Sequence, residues 1–317
     1  MPLLLGSLFS LSPAMAQTGV WPTKPISLVV TYPPGGGADA MARLIAPKMA
    51  EALGQAMVVE NKPGASGQIA AAAVAKSTPD GYTLMLDASS FAVNPALYSK
   101  LPYDNDKAFR AVGVIALFPN VVLVNAHFPA KTIGELVALA SVRKDSVAFA
   151  SSGNGSAQHL AGALFESAAK INMIHVPYKG GGPALNDVIA GQIPLFFGNL
   201  ASTLQHIQSG KLRALALIAD KKSAILPDVP TLAEAGVSGA EVYEWNALFA
   251  PAGVPDEILS KLSAALQKAM QSPEVRARIA QLGGDIQTTD PAGAQTFIRQ
   301  QTALWSKLVK ARGISLE

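Results

Sequence analysis

Cysteine is missing from all 317 residues. That excludes disulfides and any thiolate metal site, and it leaves an oxidising and a reducing compartment equally open. Four histidines, at 127, 159, 175 and 206, are not spaced as a metal pair, and no His-Glu-x-x-His is present. Charge is also sparse. Charged residues make up 15% of the chain, the net charge is +3, and no Lys/Arg block occurs, which argues against nucleic acid as a partner. No Gly-x-Ser-x-Gly elbow is found, because Gly64-Ala65-Ser66-Gly67 has the wrong spacing. What the chain does have is apolar residues, 50% of the total, and length enough for two domains with a large core.

Residues Met1 to Ala16 contain no Lys, Arg, Asp or Glu, and Leu3, Leu4, Leu5, Leu8, Phe9 and Leu11 form a short apolar core. Ala14-Met15-Ala16 has the small-x-small form of a signal-peptidase site, so residues 1–16 are expected to be a signal peptide and Gln17 the mature N-terminus. A basic n-region is missing from this pattern. The run falls short of the roughly 20 apolar residues a membrane span needs, and no later stretch reaches that length. The expected location is the periplasm.

The chain is organised around Tyr32-Pro33-Pro34-Gly35-Gly36-Gly37-Ala38-Asp39. An apolar run, Ile26 to Thr31, precedes it and reads as a buried strand. Met41, Leu44, Ile45, Met49 and Leu53 follow at helical spacing, so a helix is expected over 40–53. A stiff turn, three glycines and a helix start leave backbone N–H groups beside a positive helix end, which suits an anion or a tight turn with no ligand. Gly35-Gly36-Gly37 is not the dinucleotide fingerprint, because the third glycine is missing, and there is no Walker lysine. A strand at 57–60 leads to a second glycine loop, Asn61 to Gly67, and a small-residue helix at 68–76. A strand at 82–86 ends in Asp87-Ala88-Ser89-Ser90. This β-α-β-α-β order predicts a parallel sheet with its ligand loops on one rim.

Two apolar runs in 112–124, broken at Phe118-Pro119-Asn120, mark a crossover to a second domain. There the pattern repeats. Thr132 with Glu135 forms a capping box. Strands at 147–150, 173–176 and 194–197 end in Ser151 to His159, Pro177 to Pro183, and Gly198-Asn199. Strands at 212–218 and 245–250 follow, then helices over 256–270, 273–282 and 293–310 with apolar stripes that return to the first domain.

Eight motifs, in order from residue 21 onward, resemble the Bug family, the extracytoplasmic substrate-binding proteins of tripartite tricarboxylate transporters. They are Trp21 to Pro25, Tyr32 to Asp39, Glu60 to Gly67, Pro79 to Thr83, Ser152 to Ser156 with His159, Val176 to Gly181 with Asp187, Pro230 to Gly236, and Trp245 before Ala250-Pro251-Ala252-Gly253. The resemblance implies a type II periplasmic-binding-protein fold, with two doubly wound α/β domains joined by crossing strands and a ligand cleft between them. On that reading residues 17–119 plus 223–317 form one domain and 120–222 the other. It implies a monomer without cofactor or metal that binds a small organic carboxylate (a di- or tricarboxylate, amino acid or aromatic acid) and delivers it to a membrane permease. The family holds a carboxylate largely through backbone amides and water, which here implicates Gly36, Gly37, Ala38 and Asp39 with Gly64, Ala65, Ser66 and Gly67. Departures lie at Gly198-Asn199, where many relatives carry an acidic residue before Asn, and in the Ser89-Ser90 loop.

The side chains leave alternatives open. Tyr32 opens the first loop. Asp39 fits a helix cap as well as a contact to a ligand amine or bound water. Ser66 is a hydrogen-bond donor or a turn former. One of Ser152, Asn154 and Ser156 is a cap, and another is free to reach a ligand. His159, in the first turn of a helix, is expected to be neutral. Tyr178 can stack on an aromatic acid, donate its hydroxyl or serve the core. Lys179 is the cation nearest a loop. Asp187 either ties its helix to a neighbouring loop or meets a ligand. A secreted enzyme acting on carboxylates or esters is the rival class, although no Ser, His and Asp are placed as a triad. A binding protein feeding a sensor kinase is a third.

Overall fold

The computed structural model describes residues 21–142 and 146–314. The expected signal peptide lies outside them. Among the described residues no helix is long and apolar enough to cross a membrane.

The chain begins as β1 (Ile26–Val30), α1 (Gly37–Leu53), β2 (Met57–Asn61), α2 (Gln68–Ala75), β3 (Thr83–Ala88) and α3 (Ser90–Leu97). Strands β2 and β3 flank β1 in parallel, with Leu28 opposite Val59 on one side and Leu84 on the other. Ile26, Leu28 and Val30 are fully buried and Val29 nearly so, as in a parallel strand covered by helices on both faces. Each such side chain contributes roughly 1.5–3 kcal/mol by leaving water. Helix α1 stops at Gly54, whose left-handed conformation (φ 70°) closes the last turn.

One long strand, β4 (Phe109–Asn125), carries the chain onward, and α4 (Ile133–Val142), β5 (Ala148–Ser151), α5 (Ala157–Ala169), β6 (Ile174–Pro177), α6 (Gly181–Ile189), β7 (Leu195–Asn199), α7 (Leu200–Gln208) and β8 (Leu212–Ile218) follow. The return is β9 (Tyr243–Pro251), α8 (Asp256–Gln271), α9 (Pro273–Gln281), β10 (Asp285–Ile286) and α10 (Pro291–Arg312). The strands lie in the order β2-β1-β3-β9-β4-β7-β5-β6, with β8 and β10 also beside β4.

Strand β4 changes partners along its length. From Phe109 to Pro119 it runs antiparallel to β9, which in turn pairs with β3. From Asn120 to Asn125 it runs antiparallel to β7 and β8. The two expected apolar runs are therefore one strand. Pro119 does not break it, because this residue pairs with Tyr243 at the end of the β9 ladder, where a missing N–H is tolerated. Strands β5, β6 and β7 are parallel, so the second sheet repeats the architecture of the first. Helices α8 and α10 pack against α1, α3 and β4 on the first sheet, as their apolar stripes predict.

The capping box is realised with a shift. Thr132 Oγ1 accepts from Glu135 N at 3.2 Å, while the Glu135 carboxylate reaches Lys131 N rather than Thr132 N. Two helices were not read from the sequence, α3 and α7. Both begin within two residues of a strand, at Ala88 and Asn199, with no loop to announce them.

Candidate functional site

The parallel strands deliver their loops to one face. Loops after β1, β3, β5 and β7 wall a first compartment, a cavity of about 20 Å³ lined by Tyr32, Gly36, Gly37, Ala38, Ser89, Ser90, Ser152, Gln158, Asn199 and Glu244, among others. Loops after β1, β2, β5 and β6 wall a second, with Gly64 to Gly67, Tyr98, Gly153, Asn154, Tyr178 and Lys179. Tyr32 and Ser152 line both, so the two are ends of one cleft between loops of the two sheets.

The opposing loops touch. Ser66 Oγ donates to the carbonyl of Asn154 across the cleft. A Cβ on Gly180 would overlap the Pro33 ring, and one on Gly182 would sit 3.0 Å from Pro34 O. A Cβ on Gly37 would lie 3.2 Å from Glu244 Oε1 and 3.3 Å from the Asn199 amide. Glycine is needed at 37, 180 and 182 because the walls close on one another, which is a packing reason beside the anion reading of the loops.

Helix α1 starts three residues earlier than expected, at Gly37, and its N-cap is Gly36, with no side-chain cap. Asp39 is therefore a first-turn acid. Its carboxylate accepts from Gly35 N (3.1 Å), Arg43 Nε (3.0 Å) and Asn61 Nδ2 (2.9 Å), and Asn61 Nδ2 also donates to Tyr32 O at 2.9 Å. Burial alone would raise this carboxyl, but the hydrogen bonds from Arg43, Asn61 and Gly35 outweigh it and hold the pKa below the usual carboxylate value. All of these bonds bind the glycine loop to β2. The Asp39 carboxylate is turned to them, and Asp39 does not line the cleft.

The second loop is more strained. Gly64, Ala65, Ser66 and Gly67 all have positive φ (132°, 47°, 53° and 88°). For Ala65 and Ser66 this is a sparsely populated region, which persists only where surroundings fix it. Here Asn94 Nδ2 donates to Ser66 O at 3.0 Å, and Gly67 packs where a Cβ would be 3.1 Å from the Asp87 carboxylate. Successive N–H groups in such a turn form a concavity suited to an anion.

The remaining candidates divide. Ser89 lines the first compartment, and its Oγ is buried with no hydrogen-bond partner among the described residues. Asn199 caps α7, its Oδ1 accepting from Ala201 N at 2.8 Å, while its Nδ2 end faces Gly37. Ser156 is the cap of α5. Ser152 and Asn154 reach the cleft. His159 does not line it. Its Nδ1 accepts from Gly155 N at 3.1 Å, and its ring stacks on His175 with centroids 4.2 Å apart. Burial lowers His159 to about 4; burial and then His159 itself lower His175 to about 3. The neutrality expected of His159 holds, with burial rather than the helix end as its cause. Tyr178 donates to Asp187 Oδ2 at 2.6 Å, which ties α6 to the preceding loop and leaves Asp187 outside both compartments.

Two acids were missed. Glu244, on β9, is 7% exposed and lines the first compartment. Gln158 Nε2 donates to its Oε2, and burial raises its pKa. Asp87 lies beneath, fully buried, accepting from Thr31 Oγ1 (2.6 Å) and Ala88 N (2.7 Å), and burial pushes it up to about 7. The signal for Glu244 is a charge flush against an apolar strand; the strand expected over 245–250 begins one residue too late to include it. Among the described residues no three potential ligands gather where they could hold a metal ion.

Comparison with known proteins gives a consistent picture. A family model described as "Tripartite tricarboxylate transporter family receptor" matches residues 41–314. Protein BugT of Bordetella pertussis is 36% identical over 310 residues, covering 96% of this chain and 94% of BugT. The structure of periplasmic binding protein BugD superposes with a TM-score of 0.90 at 35% identity, covering 93% of this chain and 99% of BugD. That of R. palustris Rpa4515 with adipate does so with a TM-score of 0.90 at 34% identity, covering 93% and 99%.

Proposed function

The chain belongs to the tripartite tricarboxylate transporter receptor family, with the Bug proteins among its relatives, and from that premise we propose that it captures a small organic carboxylate in the cleft and hands it to a membrane permease. The supporting observation is the pair of glycine loops, 32–38 and 64–67, that meet the Ser152–Ser156 loop around one cavity. The adipate held by Rpa4515 agrees with this ligand class.

In mechanism, residues 17–119 with 223–317 and residues 120–222 act as two lobes hinged at β4 and β9. The first lobe offers N–H groups at the start of α1 and in the strained Gly64–Gly67 turn. The second lobe brings Ser152, Asn154 and Asn199. Contacts that exist only when the walls meet, such as Ser66 to Asn154 and Gly180 to Pro33, bias the lobes toward closure over a ligand. Charge-assisted hydrogen bonds in an enclosed site contribute roughly 1.5–3 kcal/mol each, and a few reach the about −8 kcal/mol of a micromolar complex. Nothing in this cycle breaks a covalent bond, so the protein acts as a receptor and not as an enzyme. Export to the periplasm by residues 1–16 places it where such a receptor meets its ligand.

A thermal-shift screen of the purified protein against mono-, di-, tri- and aromatic carboxylic acids tests this. Binding at 100 times the dissociation constant adds about 2.7 kcal/mol of stability, and the acid is to be recovered unchanged. Chemical conversion of the acid instead supports the enzyme reading.

A further inference from the structure

The carboxylate clamp leaves one buried group without a use. Glu244 puts a carboxylate into the wall of the first compartment, 7% exposed, and no lysine, arginine or histidine among the described residues offsets its charge. It is not a loose side chain. Gln158 holds its Oε2, the Asn199 amide also bonds to the carboxylate, and Gln158 is itself fixed by donation to Asn120 Oδ1 at 3.1 Å. Its Oε1 faces Gly37, where the absence of a side chain lets the acid approach the start of α1. Asp87 lies near enough that Glu244 raises its pKa, so the base of the cleft holds two acids.

A plain dicarboxylate entering this compartment brings more negative charge to an acid-lined wall, and burial makes such repulsion costly. A ligand cation removes the problem. Beside Glu244 stand features of the opposite preference: the N-terminal turn of the 17-residue α1 and the buried Ser89 hydroxyl, which has no partner among the described residues. A helix N-terminus and a free hydroxyl suit an anion. An acceptor for a cation and a seat for an anion thus lie side by side in one compartment.

We infer that the ligand is an α-amino acid, its ammonium held by Glu244 and its α-carboxylate by the start of α1 and Ser89, with its side chain directed past Tyr32 and Ser152 into the second compartment. This rests on the carboxylate reading of the cleft and narrows it. Ammonium and carboxylate sit on the same carbon of an amino acid, which matches the adjacency of the two seats. Glu244 is then a specificity-determining residue. Against an amine it is a charge partner; against a simple acid it is a repulsive element of the kind that gives selectivity.

The test uses matched pairs that differ only by the amine: aspartate and succinate, glutamate and glutarate, alanine and propionate, phenylalanine and 3-phenylpropionate. Calorimetry on the wild-type protein is expected to show, in at least one pair, the amino member binding at least about tenfold tighter. In Glu244→Gln that preference is expected to fall below about threefold, with the thermal midpoint confirming that the variant is folded. If the variant does not fold, the wild-type pairs decide alone. Equal or tighter binding of the plain acids to the wild type overturns this inference and leaves the carboxylate receptor standing. An unchanged amine preference in Glu244→Gln overturns Glu244 as its seat. If neither series binds, the carboxylate reading falls and this inference with it.

Discussion

Asn61 Nδ2 lies 2.9 Å from Asp39 Oδ1 and 2.9 Å from the Tyr32 carbonyl, so one amide joins the strand of the second loop to both ends of the first. The glycine loop owes its shape to this junction as much as to its glycines. Asp39 acts on the cleft through Gly35, Arg43 and Asn61 rather than by touching it.

Removing that carboxylate should therefore loosen the cleft from outside. Asp39→Ala removes the acceptor shared by Gly35 N, Arg43 Nε and Asn61 Nδ2. Gly35 is exposed, and Asn61 is half-buried and still bonded to Tyr32 O, so water and that bond offset part of the loss. A loss of about 1–2 kcal/mol in urea unfolding is expected, together with weaker acid binding by calorimetry. Asp39→Asn should fall between the two. In the wild type the Asp39 pKa is depressed on folding, so its contribution is present above the unfolded value near 3.9 and is lost as pH falls through the folded one. Stability equal to wild type in Asp39→Ala would contradict this role.

Gly180 bears on closure, and because its φ of 153° also strains an added side chain in its own loop, urea unfolding is measured beside affinity. Its added Cβ would overlap the Pro33 ring on the facing loop, so Gly180→Ala should keep the walls apart. The expected result is an affinity loss of about tenfold or more, or about 1.4 kcal/mol. Small-angle scattering with saturating ligand should give a larger radius of gyration than wild type with ligand. An unchanged affinity would show that the contact does not form in the bound state.

The His159–His175 stack should make the protein acid-sensitive. Folded values of about 4 and about 3 lie below the unfolded 6.5. The pair's full contribution is present above pH 6.5, and it declines as the unfolded chain takes up protons that the fold refuses. The slope is up to about 1.4 kcal/mol per pH unit for each histidine. Asp87 is raised on folding to about 7, so it acts in the opposite sense, and its contribution is lost as pH rises toward 7. Comparing urea unfolding at pH 7.5, 6 and 5 between wild type and His175→Asn isolates the stack: the variant should show the flatter profile. Identical slopes would mean that the histidines do not carry the effect.

Much of the fold is legible in the sequence because alternating elements repeat on a fixed period. Ile26, Leu28 and Val30 make one face of β1 apolar and Val29 adds to the other, as in a strand covered on both sides. Helices α3 and α7 were illegible because they leave the strands almost directly. Helix α3 also carries Pro95 within only eight residues. The loops themselves were visible as glycine clusters, but not what each side chain does in them. The sequence leaves Asp39 and Asp187 each open to a structural or a ligand role, and the bonds to Asn61 and Tyr178, partners that folding brings near, decide for the structural one. Glu244 escaped because the strand expected over 245–250 stops one residue short of it, whereas β9 begins at Tyr243.

The central claim is that an acid is held between the loops of the two sheets and left chemically intact. A crystal structure with the tightest acid from the screen tests it most directly. The account predicts density for the intact acid bordered by Tyr32 and Ser152, the residues common to both compartments. Density at any other surface, or for a chemically altered product, would contradict it.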